Sequence, residues 1–401
     1  MVYRIASALP TLLLGASLAL GQGGTGKQPS PTPTPAASPT PKKTTPAKGT
    51  GSTKNATPSS GQGKRAESEI AFWESIKNST DPEDFKAYLQ QYPNGTFATL
   101  ARNRLKKLEA AGPKPTSTPV PSPGKSGTES STPKSTPGTV VRNKIGMELV
   151  WIPSGVYIMG STNGRSDERP LHPVAINYSF LMGKYEVTQA QWQQVMGTTV
   201  REQRDKTNRT FPVRGEGSAN PMQYVSWDEA QQFIQKLNEI NDGYVYRLPT
   251  EEEWEYACRA GTTGDYAGER DEVAWFANNA GDQPVDATRI WNTDRNTYGS
   301  RVVNNGNKTH PVGTKKPNAF GLYDVHGNVN EWCQDSYHDS YNGAPTDGSA
   351  WVTADSPYRV ARGGSWFNAA MDVRSSNRLS FKPDQRQNTI GFRVAATPRA
   401  K

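Results

Sequence analysis

Gly363-Gly364-Ser365-Trp366-Phe367-Asn368, followed by Ser375-Ser376-Asn377-Arg378 and closed by Ile390-Gly391-Phe392-Arg393-Val394, is the stretch on which the reading of this chain turns. Two adjacent glycines allow a positive φ or a close backbone approach that a Cβ would forbid. Ser365, Trp366 and Asn368 then offer a hydroxyl, a flat amphipathic ring and an amide in quick succession. The run from Ile390 to Val394 alternates apolar and polar side chains, the pattern of a last, half-buried strand. A glycine-hinged segment of this kind makes either a site or a tight corner.

Working outward, longer motifs appear in a fixed order. Tyr246-Arg247-Leu248-Pro249-Thr250-Glu251-Glu252-Glu253-Trp254-Glu255-Tyr256-Ala257 comes first, then Asn318-Ala319-Phe320-Gly321-Leu322-Tyr323-Asp324-Val325-His326-Gly327-Asn328-Val329-Asn330-Glu331-Trp332. Arg362-Gly363-Gly364-Ser365-Trp366 and Gly391-Phe392-Arg393 complete the set. From about Gly146 to Ala396 the chain resembles the formylglycine-generating enzyme (sulfatase-modifying factor) family. That resemblance implies an α+β, C-type-lectin-like FGE-sulfatase fold, irregular, with short strands and few helices. A fold alone does not fix chemistry.

Upstream, composition divides the chain. Arg4 and a mostly apolar run to Leu20, ending on small residues, read as a signal peptide over residues 1–21, too short for a comfortable membrane span. Residues 22–66 and 112–139 are Pro/Thr/Ser-rich and have little to bury, so disordered linkers are expected. Between them, residues 67–111 place Ile70, Phe72, Trp73 and Ile76, then Phe85, Tyr88, Leu89 and Tyr92, at helical spacing, with Asp81-Pro82 as a helix start. This small helical, repeat-like module is either a spacer or a partner-binding unit, and a core of this size needs something to pack on. Residues 140–401 form the main domain. Its opening segments, 147–153 and 156–160, read as a hairpin-like pair of strands around Ser154-Gly155. Thr188 with Gln191, Ser226 with Glu229 and Thr250 with Glu253 read as capping boxes, the first two with Val187 and Val225 as staples.

Net charge is +8, yet its location matters more than its size: residues 22–66 hold seven Lys/Arg and no Asp/Glu, while residues 140–401 hold 29 against 30. The basic balance belongs to the linkers, so the domain offers no nucleic-acid face. The expectation is an exported protein, periplasmic, cell-surface or secreted, with no transmembrane anchor after signal cleavage.

The family's copper(I) thiolates map onto Asn368 and Val373, and neither an amide nor an isopropyl group replaces a thiolate. Asn330 stands where the family has a tryptophan, and Ser365 is the main active-site position that survives. Copper chemistry by the family route is therefore not expected; the alternative is a copper- and oxygen-dependent oxidase with other ligands, Met371 being the soft side chain nearby. The resemblance places the family's calcium on the side chains of Asp324 and Glu331 and the carbonyls of Gly327 and Val329, and hard oxygen donors suit that ion. A second calcium site falls near Asn278 and Asn279, where an insertion (about Asp282 to Asn307) blurs the match. Cys258 and Cys333, the two cysteines of an exported chain, are either a disulfide or two buried thiols. The four histidines show no metal-ligand spacing, so a tri-histidine iron site is not supported.

Related domains serve as ligand-display scaffolds in hypervariable bacterial proteins, and the terminal segment looks like their variable region. Ser365, Trp366, Asn368, Met371, Asp372, Arg374 and Asn377 are accordingly the expected ligand-binding set, for a protein, peptide or glycan. In the plainer reading Trp366 and Phe367 are core, and Arg374 and Arg378 pair with helix carboxylates such as Glu253 or Glu255.

Overall fold

The computed structural model describes residues 138–399 except 209, 210 and 355, residues 81–110 except 94, and Glu69, Phe72, Trp73, Ile76, Lys77 and Ser79. The expected signal peptide, the 22–66 linker and nearly all of the 112–139 linker lie outside the described residues.

The helical segment begins at α1 (Pro82–Gln91), where the Asp81 side chain accepts the Glu83 N–H and Pro82 fills the first turn. It continues in α2 (Ala98–Ala110). Trp73, Phe85, Tyr88 and Phe97 form its aromatic centre, and Val156 and Ile158 of the main domain pack against it. The small core thus leans on a larger neighbour.

The main domain is built on a five-stranded antiparallel sheet in the order β1 (Val140–Arg142), β2 (Glu148–Ile152), β5 (Phe180–Gly183), β13 (Ala395–Pro398), β6 (Tyr244–Arg247). A second sheet runs β11 (Arg378–Phe381), β10 (Arg359–Arg362), β9 (Asn330–Ser336), β12 (Ile390–Gly391), the last pairing being parallel. Two small pairs join β3 (Gly155–Met159) to β4 (His172–Ile176) and β7 (Ala274–Trp275) to β8 (His326–Gly327). The helices are α3 (Gln189–Met196), α4 (Val200–Asp205), α5 (Trp227–Glu239), α6 (Glu251–Arg259), α7 (Arg270–Val273), α8 (Ala287–Thr293) and α9 (Arg295–Asn304).

All three expected capping boxes form, with reciprocal side-chain and backbone bonds at Thr188/Gln191, Ser226/Glu229 and Thr250/Glu253. A fourth, Thr199/Glu202, starts α4. Two strand expectations are corrected. β2 and β3 do not form a hairpin, because β2 is claimed by β1 and β5 while β3 turns away to β4. The segment 390–394 is not a half-buried final strand: every residue in it is buried, only Ile390–Gly391 pair, and β13 is the last strand. The 282–307 insertion, unread in the sequence, folds into α8 and α9.

Helix α6 is the pivot between the sheets, with all nine residues buried. Four of them are glutamates, and three find guanidinium partners. Glu251 takes two bonds from Arg378, at 2.6 and 2.8 Å; Glu253 takes Arg247; Glu255 takes Arg259 and Arg362. Arg362 also donates to the carbonyls of Ser375, Ser376 and Asn377, so one buried side chain pins the segment after the glycine pair. Removing it leaves Glu255 with Arg259 as its one guanidinium, beside three unanswered carbonyls. Arg362→Met should cost about 3–5 kcal/mol in urea unfolding; a loss under ~1 kcal/mol would contradict this role.

Glu252 lacks such a partner. Asp335 faces the same region and accepts the Glu251 and Trp351 N–H groups at 2.7 and 2.6 Å. Burial, then the charge of Glu251, pushes the Asp335 carboxyl up to about 7. Burial and the charge of Asp335 push Glu252 well above the carboxylate range. A raised folded pKa means that the folded chain holds a proton after the unfolded chain has lost it. This contribution is complete below the unfolded value near ~4 and is lost as pH rises through the folded value. Urea melts should therefore show stability falling between pH ~4 and ~7, and Asp335→Asn should flatten that fall while lowering stability at acid pH. An unaltered slope in the variant would refute the assignment.

Candidate functional site

The glycine pair takes positive φ, +90° at Gly363 and +73° at Gly364, and a Cβ on Gly364 would stand 2.5 Å from Val373 Cγ1 and 2.6 Å from the Asp372 carbonyl. The loop is thus folded hard against residues 372–373 and becomes a tight corner. Trp366 donates its backbone N–H to the Asn328 carbonyl and its indole N–H to the Asn388 carbonyl. Its ring is fully buried with Ile290, Tyr298 and Val302 of the inserted helices. Tyr298 also donates to the Phe367 carbonyl at 2.7 Å.

The expected ligand-facing set is corrected accordingly. Ser365, Trp366 and Asn377 are fully buried, and Arg374 is spent in a two-bond pair with Glu168 at 2.7 and 2.9 Å. The insertion covers the loop, and Arg362 draws its far end inward. Asn368 and Asp372 are partly exposed, Asp372 paired with Arg165 at 2.6 Å; Met371 is 45% exposed. A core Trp366 and paired arginines are what the plainer reading expects, but Phe367 is only partly buried and the partners differ: Arg374 meets Glu168, and Arg378 meets Glu251 rather than Glu253 or Glu255.

At the two positions where the family resemblance would need thiolates, Asn368 Oδ1 accepts the Ser365 hydroxyl at 2.7 Å, and Val373 is buried against Ala274 and Phe276. Cys258 and Cys333 are free and buried, which corrects the disulfide option. The Cys258 thiol lies 3.7 Å from His326 Nε2, the Cys333 thiol 4.0 Å from the Glu331 carbonyl. Burial pushes the Cys258 thiol up to about 12 and Cys333 well above its ordinary value. His326 accepts the Ala267 N–H on Nε2 and donates from Nδ1 to the Val373 carbonyl, while burial lowers it to about 4. A neutral thiol beside a locked, neutral imidazole is no activated nucleophile.

The oxygen-rich turn has a different character. Asp324, at φ +57°, accepts the Gly313 N–H on Oδ2, while its buried Oδ1 has no partner. Glu331 receives Arg393 on both oxygens, at 2.5 and 2.6 Å, and the Trp254 indole N–H at 2.7 Å. Glu186, which drew no notice in the sequence, accepts the Val329 N–H and the Asn328 amide at 3.0 and 2.7 Å. Burial first, then the charges of Asp324 and Glu331, push Glu186 well above its ordinary value. Its only sequence signal is its place in Tyr185-Glu186-Val187, just ahead of a capping box. Three buried carboxylates thus answer to one guanidinium. That excess of negative charge, with one orphaned oxygen, fits a hard cation. Among the described residues no three His, Cys, Asp or Glu side chains are arranged to hold a metal, so the carbonyls of Gly327 and Val329 would have to complete the shell. Near the expected second site, the Asn278 Oδ1 accepts the Ala287 N–H and Asn279 closes its own turn, leaving those amides committed.

Residues 135–398 match the model of the sulfatase-modifying factor enzyme 1-like domain. The chain is similar to the chaperone protein LppX of Paenibacillus barcinonensis, 32% identical over 54% of this chain and 79% of that protein. It is also similar to the inactive C-alpha-formylglycine-generating enzyme 2 of Bos taurus, 31% identical over 44% of this chain and 50% of that one. Proteins named formylglycine-generating enzyme are relatives as well. The chain is also 29% identical, over 62% of its length, to the serine/threonine-protein kinase pkn1 of Chlamydia pneumoniae, but spans 38% of that protein, as it spans half of the bovine one. Among solved structures, PvdO from Pseudomonas aeruginosa matches with a TM-score of 0.52 at 32% identity, over 65% of this chain and 98% of that one. The chain belongs to the FGE-sulfatase family, the sulfatase-modifying factor enzyme 1-like domains.

Proposed function

We propose that this is an exported, non-catalytic binding domain of the family, stabilised by calcium, with a protein or glycan as its ligand. The observation that carries the reading is the pair Asn368 and Val373: one is tied to Ser365, the other is packed in an apolar cluster, and neither supplies a thiolate. A relative named inactive and another named a chaperone protein are in keeping with it. The scaffold motifs remain intact around the altered positions, as expected where the fold is kept for recognition. Asn368, Met371 and Asp372 are the members of the terminal loop still open to a ligand.

The purified chain, given copper(I), oxygen and a peptide carrying Cys-X-Pro-X-Arg, should leave the peptide unchanged by mass spectrometry. Aldehyde above a no-protein control would replace this reading with the oxidase one.

For the ion, the Asp324 and Glu331 side chains with the Gly327 and Val329 carbonyls would hold it, and Glu186 would add charge behind them. Calcium near a hundred times its dissociation constant should raise the melting temperature by about 5–10 °C over EGTA. Asp324→Asn should abolish that difference. Equal melting in calcium and EGTA would remove the ion from the proposal.

A further inference from the structure

The outward edge of β3 carries main-chain groups that no neighbouring strand uses. Among the described strands β3 pairs with β4 alone, setting Val156 opposite Ala175 and Ile158 opposite Pro173. Proline has no N–H, and the Ala175 N–H goes to the Thr346 carbonyl, away from β3. In an antiparallel ladder successive residues alternate between bonding the partner and facing the other side. Val156 and Ile158 therefore point N–H and C=O away from β4. Gly160, next in the same parity, bears this out: its N–H donates to Glu255 Oε1 and its carbonyl accepts from Arg259, both at 3.0 Å. Beyond Gly160 the edge is closed by α6. At residues 156 and 158 it opens on a cleft of about 430 Å³.

The facing wall consists of Tyr256 and Arg259 at the end of α6 and the turn from Gly261 to Asp265, with Lys77 of the helical segment as a further boundary. Arg259 is already answered by Glu255. Asp265 and Lys77 add one charge of each sign to the described lining, whose net charge favours neither an acidic nor a basic ligand. The Val156 and Ile158 side chains are held by the helical segment's aromatic cluster, which presents the edge in a set position.

We propose that this cleft binds an extended, uncharged segment of a partner protein, which lies along β3 as an added strand and bonds main chain to main chain at Val156 and Ile158. An added strand sits ~4.8 Å from its neighbour, and the cleft has the volume of ordinary ligand sites. The proposal deepens the binding-domain reading and rests on it, while being independent of calcium.

The test pans the full chain against a phage library of linear peptides and measures the selected peptide by fluorescence anisotropy. Ile158→Pro removes an N–H that β4 does not use, so the β3–β4 ladder is retained. Thr263→Trp fills the cleft from the opposite wall without touching β3. Each should weaken binding about tenfold or more, the worth of one or two main-chain hydrogen bonds. N-methylation of alternate peptide amides should weaken it similarly, and methylation of the intervening ones should not. If Ile158→Pro fails to fold, Thr263→Trp and the methylation series still decide. A peptide that binds but ignores both variants and shows no alternation overturns the cleft proposal and leaves the binding-domain reading standing. No selected peptide at all overturns the proposal and points the broader reading towards glycans.

Discussion

The structure depends on neutralising carboxylates where water does not reach. Helix α6 brings four glutamates into the interior, and arginines from β6, β10, β11 and the helix itself meet three of them. Arg393 and Glu331 repeat the device beside it. Burying such pairs adds little net stability compared with apolar packing, but losing one partner leaves a desolvated charge. The pairs therefore act as position markers. They fix β10 and β11 against α6, and through Arg362 they fix the loop that follows the glycine pair.

That arrangement explains why a segment rich in tryptophan, amides and charge is mostly interior. Arg362 takes three carbonyls of the 375–377 run, Arg374 is held by Glu168, and the inserted helices cover Trp366. Loops commonly carry function on a rigid scaffold. Here the terminal loop has itself become scaffold, and open main-chain groups appear instead on the edge of β3.

Among the described residues, two carboxylate groupings remain short of positive charge: Glu252 with Asp335, and Glu186 with Asp324 near Glu331. A buried excess of this kind is met by a proton or by a cation. In the first, backbone N–H donors occupy both Asp335 oxygens, and the buried, unpartnered Glu252 Oε2 is the place for a proton. The second has an unpartnered Asp324 oxygen in a glycine-bearing turn and suits an ion.

Local chemistry was legible in the sequence. Capping boxes at Thr188, Ser226 and Thr250 are written in four residues each, and the Asp81-Pro82 start in two. The ordered motifs sufficed for the fold, and the absence of thiolates at 368 and 373 is a plain fact of residue identity. What only tertiary structure decided was long-range. Burial of Trp366 depends on helices some 70 residues upstream. The partner of Arg374 lies at position 168, that of Val329 at 186, and the two cysteines sit in one core yet remain free thiols. β2 and β3, adjacent in sequence, were parted by strands from elsewhere. Short-range signals act through backbone bonds within a turn or two, whereas pairing and burial depend on which distant surfaces meet, and periodicity in a single chain carries no record of that.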